Sequence, residues 1–153
     1  MLSTPVEQGS LKFYTDSNFF TFKTNLVLTR DTEKIYPKFF EVALPKKMKY
    51  YEFINSTDFS FYYDKGQVVF IKIELEKVSN KDTTYTPTKE KLEEFIQSLS
   101  TNGNKYDIKK IILSKGRRNT ILNKGEATIL LYNIVEDNYN QFFTYLSSLR
   151  FIK

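Results

Sequence analysis

The sequence predicts an α+β domain: a largely antiparallel twisted sheet with helices packed on its faces. Three observations carry this. Apolar residues alternate through many short runs, as where Val69, Ile71, Ile73 and Leu75 fall on one face of a strand and Lys72, Glu74 and Glu76 on the other. Two segments, after Pro87 and from Tyr139, change to a helical period. The 153 residues include 14 Phe and 11 Tyr, a supply of rings suited to a packed core.

Residues 1–10 are polar, contain Pro5 and Gly9, and read as a flexible lead to a single domain over 11–153. They lack the basic start and apolar run of a signal peptide, which fits a cytosolic start or a mature chain whose export signal has been removed. Residues 11–14 and 18–23 are aromatic strands divided by Asp16-Ser17-Asn18, a turn composition. Residues 25–30 form a further strand, 31–34 a charged connection, and Pro37 bars a regular central strand. Residues 39–45 form a strand halted by Pro45 and followed by the basic loop Lys46-Lys47. The aromatic stretch 48–54 fits no single element.

Two β-rich runs, 59–63 and 67–77, flank Asp64-Lys65-Gly66 and predict an antiparallel hairpin. Residues 78–85 read as a polar loop. Thr86 then caps a helix with Pro87 at its first position and Leu92, Phe95, Ile96 and Leu99 on one face, and Asn102-Gly103 stops it. Burying those four side chains is worth about 6 to 12 kcal/mol before conformational entropy is subtracted. Residues 108–113, 119–122 and 126–134 are strands. In the last, Ala127, Ile129 and Leu131 share one face and Leu130, Tyr132 and Ile134 the other, which predicts a central strand covered on both sides. A second helix follows, capped by Asp137 or Asn138, with Tyr139, Phe142, Phe143 and Leu146 on one face; Asp137 and Arg150 suit the two ends of its dipole. Residues 147–152 carry the apolar spacing onward.

Composition removes several chemistries. Without His or Cys the chain lacks the commonest general base and metal ligand and the thiol nucleophile. Neither Ser-x-x-Lys nor Gly-x-Ser-x-Gly occurs, so the expectation is a protein that is not an enzyme, with no cofactor and no metal. The formal charge is +5, but Arg30, Arg117, Arg118 and Arg150 are the only arginines among 23 basic residues. A surface of dispersed Lys disfavours nucleic-acid recognition, which draws on the bidentate guanidinium. No apolar run reaches the roughly 18 residues a spanning helix needs, so no transmembrane segment is expected. The lack of Cys suits both cytosolic and envelope compartments.

Two groups stand out as candidate contact sites. Lys115, Arg117 and Arg118 form the densest basic cluster, supported by Lys109, Lys110 and Lys124. At a hairpin tip they would hold a carboxylate, a phosphate or an acidic partner, although a solubilising turn explains the same residues. Tyr50, Tyr51, Tyr62, Tyr63 and Tyr85, with Phe53, would offer an aromatic contact surface for a protein or glycan, or simply line the second face of the sheet. Glu90, Glu93 and Glu94 read as the solvated side of the first helix. Asp58, Asp64, Asp82 and Asp107 read as turn residues, since no EF-hand spacing surrounds them.

The order of elements over 39–152 resembles the PsbP-like superfamily. The residues that carry it are Phe40-Glu41-Val42-Ala43-Leu44-Pro45, the run 59–75, and the terminal stretch 140–152, which looks like that family's closing helix. The resemblance implies a compact sheet with helices on its faces and a role in binding other macromolecules, with no shared catalytic constellation. The expectation is a non-catalytic binding or accessory module: an exported bacterial protein or lipoprotein domain of the cell envelope or periplasm that contacts a protein or envelope component. Membrane association would come only through a removed lipid anchor. The alternatives are a cytosolic chaperone or immunity-type protein that masks a secreted effector, and a Lys- or carboxylate-based enzyme.

Overall fold

The computed structural model describes residues 7–13, 17–24, 28–30, 33–35, 39–53, 58–74, 82–98 and 115–152. Its strands are β1 (Glu7–Phe13), β2 (Asn18–Thr24), β3 (Leu28–Arg30), β4 (Glu33–Ile35), β5 (Phe39–Leu44), β6 (Tyr50–Phe53), β7 (Asp58–Tyr62), β8 (Val68–Ile73), β9 (Thr83–Tyr85), β10 (Arg117–Lys124), β11 (Ala127–Val135) and β12 (Arg150–Ile152). The helices among these residues are α1 (Lys89–Gln97) and α2 (Tyr139–Leu146), so the chain is mainly β with some helix.

The strands form two larger sheets where the sequence predicts one. A four-stranded sheet runs β1-β2-β5-β12 and a six-stranded sheet runs β6-β7-β8-β11-β10-β9, with β3 and β4 as a separate pair. Every pairing is antiparallel. Alternation explains why two sheets are needed. On β2 and β5 it turns Phe20, Phe22, Phe40, Val42 and Leu44 to one side, and such a face must be covered. Phe59, Phe61, Val69, Ile71, Ile129 and Leu131 of the larger sheet cover it in one continuous core. The seam is made of edge-on rings: Phe22 and Phe59 lie 4.8 Å apart at 72°, Phe40 and Phe59 5.0 Å at 82°, and Phe20 and Phe61 5.1 Å at 74°. Tyr139, Phe142 and Leu146 of α2 join the same core. A second cluster groups Tyr62, Val68, Phe70, Ile121, Leu130 and Tyr132 with Leu92 and Ile96 of α1.

The hairpin read at 59–77 is present as β7 and β8, with Val69, Ile71 and Ile73 in one cluster and Val68 and Phe70 in the other. β11 is central, paired by β8 and β10. Its alternation breaks at one place. The β10 register shifts between Arg118 and Thr120, so Tyr132 and Asn133 together oppose Asn119, and Asn133 adopts φ 58°. The extra residue moves Ile134 from the Leu130 face, where simple alternation puts it, to the core between the sheets.

Several boundaries differ from the sequence expectation. β1 begins at Glu7, inside the segment read as a flexible lead. The charged connection contributes Glu33 and Lys34 to β4. The polar loop contains β9, an exposed three-residue strand with no apolar face to announce it. α1 starts two residues late: Thr88, not Thr86, is its cap, its Oγ1 accepting from Lys91 N at 3.2 Å, and Pro87 is buried ahead of it. Leu99, the stop at Asn102-Gly103 and the strand at 108–113 lie outside the described residues. α2 ends at Leu146 instead of running on. The hydroxyls of Ser147 and Ser148 donate back to the carbonyls of Phe143 and Tyr145 at 2.7 and 2.5 Å, and Ser148 Oγ accepts from Ala43 N at 3.0 Å. That turn hands the chain to β12, where Arg150 meets Glu41 of β5 rather than the helix dipole.

Candidate functional site

A cleft of about 360 Å³ opens where β5 and β7 end and β8 and α2 begin. Its walls come from sequence-distant turns. Lys46 and Lys47 follow the proline that stops β5, Asp64 and Lys65 make the turn between β7 and β8, and Asn138 and Gln141 come from the start of α2. Pro45, Tyr63 and Phe142 form its buried floor.

The floor is built to hold shape. The Tyr63 ring lies edge-on to Phe142 at 4.9 Å, and its hydroxyl donates to the Pro45 carbonyl at 2.9 Å; Asn18 Nδ2 donates to the same oxygen at 3.2 Å. Tyr63 leaves β7 and Pro45 leaves β5, so this bond ties the larger sheet to the smaller one directly beneath the cleft. Burial pushes the Tyr63 phenol well above its ordinary range, because the ionised form loses its hydration. Gln67, also buried, is a polar hub: its Oε1 accepts from Val135 N at 3.0 Å and Asn138 Nδ2 at 3.1 Å, and its Nε2 donates to the Asp64 carbonyl at 3.2 Å.

The rim is cationic. Lys46, Lys47 and Lys65 are exposed, and they outnumber the single carboxylate among the lining residues, Asp64. Lys47 has φ 65° and Lys65 φ 56°, in the left-handed region where L side chains pay a steric penalty of about 1 kcal/mol or more. Asn133, the other described non-glycine residue in that region, is of the type that tolerates it. Among the described residues no three Asp or Glu side chains lie together, so the rim offers amines and amides rather than a carboxylate cage.

The basic cluster read from the sequence does not form one patch. Lys115 is exposed in the turn before β10, whereas Arg117 and Arg118 open β10 itself instead of standing at a hairpin tip. Lys124 sits at the far end of that strand, roughly 20 Å from Arg118 at the rise of an extended chain, and pairs with Asp82 at 3.4 Å. Lys109 and Lys110 lie outside the described residues. Arg117 Nη1 donates to the carbonyls of Lys65 at 2.7 Å and Asn133 at 3.0 Å, bracing the cleft's rim turn against the β11 bulge. Arg118 is 3.3 Å from Glu136 and lies over the Tyr139 ring, 3.6 Å from its centre.

The tyrosines also divide. Tyr62 and Tyr63 are buried and present no contact surface. Tyr50 and Tyr51 are half-buried neighbours on β6, and alternation sends them to opposite faces. Tyr50 stacks on Tyr62 at 4.5 Å, while Tyr51 meets Phe20 and Phe61 at 5.5 and 6.1 Å. Tyr62 donates to Glu52 Oε1 at 2.5 Å, and burial, then that bond, raises its pKa; burial also raises that of Tyr132. Tyr85 alone of the five is well exposed, at 42%. It lines a smaller groove of about 290 Å³ with Phe95, Ile121, Lys91, Glu74 and Glu94, where two carboxylates accompany one amine. The other two glutamates of the α1 trio, Glu90 and Glu93, are exposed along the same helix.

Lys46, Lys47 and Lys65 are the residues sequence reasoning passed over as loop and turn. The available signal was that both strand-ending turns are basic. No family model, curated protein or solved structure matches the chain.

Proposed function

We propose that this chain is a non-catalytic binding module of PsbP-like kind, an exported bacterial or lipoprotein domain of the cell envelope, and that it contacts a protein or envelope component through the basic cleft. A twisted sheet with helices packed on its faces serves as a rigid scaffold for the turns that line the cleft. One observation carries the reading: three lysines from two separate turns converge over a floor braced by buried hydrogen bonds. Sites placed by a rigid scaffold on connecting turns are the usual arrangement for recognition. Among the described residues no helix is long and apolar enough to cross a membrane, which suits attachment through a partner or a lipid anchor.

A photo-crosslinking residue at Gln141, an exposed position in the cleft, tests this in the native host. A discrete adduct in the envelope fraction is expected, and it should disappear in the Lys47→Glu/Lys65→Glu chain. An adduct with a cytosolic effector would move the assignment to an immunity-type protein. Absence of any adduct, or one indifferent to both reversals, would remove the cleft as the contact site.

A further inference from the structure

Resting on the binding reading above, we infer that the cleft's occupant is an acidic peptide segment of a protein partner, held by carboxylates that reach both lysine-bearing turns. Charge is the first ground. Lys47 and Lys65, one from each turn, flank the single lining carboxylate, Asp64, which already has the Gln67 amide 3.5 Å from its Oδ1. An anionic ligand therefore enters a field of net positive sign.

The kind of cation is the second ground. Bidentate recognition of carboxylate or phosphate draws on the planar arginine fork. Both arginines at this end of the fold are committed within the chain, Arg117 to two carbonyls and Arg118 to Glu136 and the Tyr139 ring. Lys47 and Lys65, one on each rim turn, are lysines, flexible point charges that pair with an anion without demanding a fixed bidentate approach. They are also divided between the turn after β5 and the turn after β7, which suits a ligand with charges spaced along a chain. At about 360 Å³ the cleft lies at the small end of the roughly 300 to 1,000 Å³ of ligand sites, which suits one or two side chains of a longer segment.

Backbone conformation supplies an independent ground. At positions 47 and 65 the left-handed φ favours Gly or Asn, yet lysine occupies both, and both line the same cleft. Asn at either place would relieve backbone strain and remove a charge. Lysine at both positions keeps a positive charge at the cleft where Asn or Gly would relax the backbone.

That opposition makes the test sharp. The full chain, its side-chain amides of Asn138 and Gln141 assigned by NMR, is titrated with a peptide of alternating Asp and Glu around one Phe, with inorganic phosphate, and with vesicles containing anionic lipid. The peptide should shift both amides, weaken with added salt, and bind about tenfold less tightly to Lys47→Asn/Lys65→Asn, two exposed charge contacts being lost. The same variant should melt no lower than the parent, and Lys47→Gln/Lys65→Gln, which keeps the strain, should lose the same binding. Three results would overturn the inference: no peptide binding, peptide binding indifferent to both variants, or phosphate or vesicles shifting the amides at lower charge concentration than the peptide does. If the peptide fails while the Gln141 adduct persists, the acidic-segment assignment falls and the binding module stands.

Discussion

The Pro45 carbonyl is the point where the two sheets are fastened under the cleft, and its two donors make the fastening measurable. Tyr63→Phe removes the 2.9 Å bond and leaves Asn18 in place; Asn18→Ala removes the 3.2 Å bond and leaves Tyr63. Each single change keeps the buried acceptor paired, so each should cost about 1 kcal/mol, with a further cavity contribution for Asn18→Ala. The double variant is different in kind. It strands a buried carbonyl, whose desolvation penalty of about 1 to 3 kcal/mol appears only then, and the cavity contribution cancels in the cycle. Urea denaturation followed by far-UV circular dichroism on the four proteins should therefore give a double loss exceeding the sum of the singles by about 1 to 2 kcal/mol. Additivity within about 0.5 kcal/mol would refute the shared-acceptor account and with it the idea that this bond closes the cleft floor.

Three further outcomes follow from the packing and backbone. Phe59→Ala, at the ring seam between the sheets, should cost about 3 to 5 kcal/mol in denaturant melts, well above Phe95→Ala at the half-buried side of α1; equal losses would contradict a seam centred on Phe59. Gly66→Ala places a Cβ 3.1 Å from Asn133 Nδ2 at φ +73°, whereas Gly116→Ala at φ +80° meets nothing within 4 Å. Both should lose about 1 kcal/mol to the backbone, Gly66→Ala losing the more, and a reversed order in thermal melts would show that the contact is relieved elsewhere. Because the folded chain holds the Tyr63 proton above the range where the unfolded chain releases it, the linked stability is fully present below about pH 10 and falls as pH rises, by about 1.4 kcal/mol per unit. Tyr63→Phe should make the decline above pH 10 shallower by that amount, and an unchanged slope would mean the phenol ionises in place.

Long periodic signals were legible in the chain and short or three-dimensional ones were not. Val68–Ile73 and Ala127–Val135 announce themselves because each is held between two layers, so apolar residues occupy both faces along most of the strand. Thr83–Tyr85 carries no such pattern because all three residues are exposed at the edge of the described sheet. Arg150–Ile152 was hidden by a coincidence of spacing: Leu149 continues the apolar series from Leu146, and only the serine hydroxyls mark the end of the helix. The cleft was the least legible. Lys46 and Lys65 stand 19 positions apart, in turns that follow strands of two different sheets, and nothing local says that β5 and β7 end side by side. The tyrosines misled for the converse reason, since residue type suggests surface while their register sets Tyr62 and Tyr63 inside.

The pairing of Arg150 with Glu41 spans 109 residues and has a consequence for biosynthesis. At about 5 to 20 residues per second a ribosome needs roughly 5 to 20 s to travel from one to the other. Through that interval β5 has its N-terminal partner β2 available but not β12, and Phe40, Val42 and Leu44 wait with one strand edge open. Ribosome stalling before Arg150 would leave that edge of the sheet unpaired, a template for pairing with another chain.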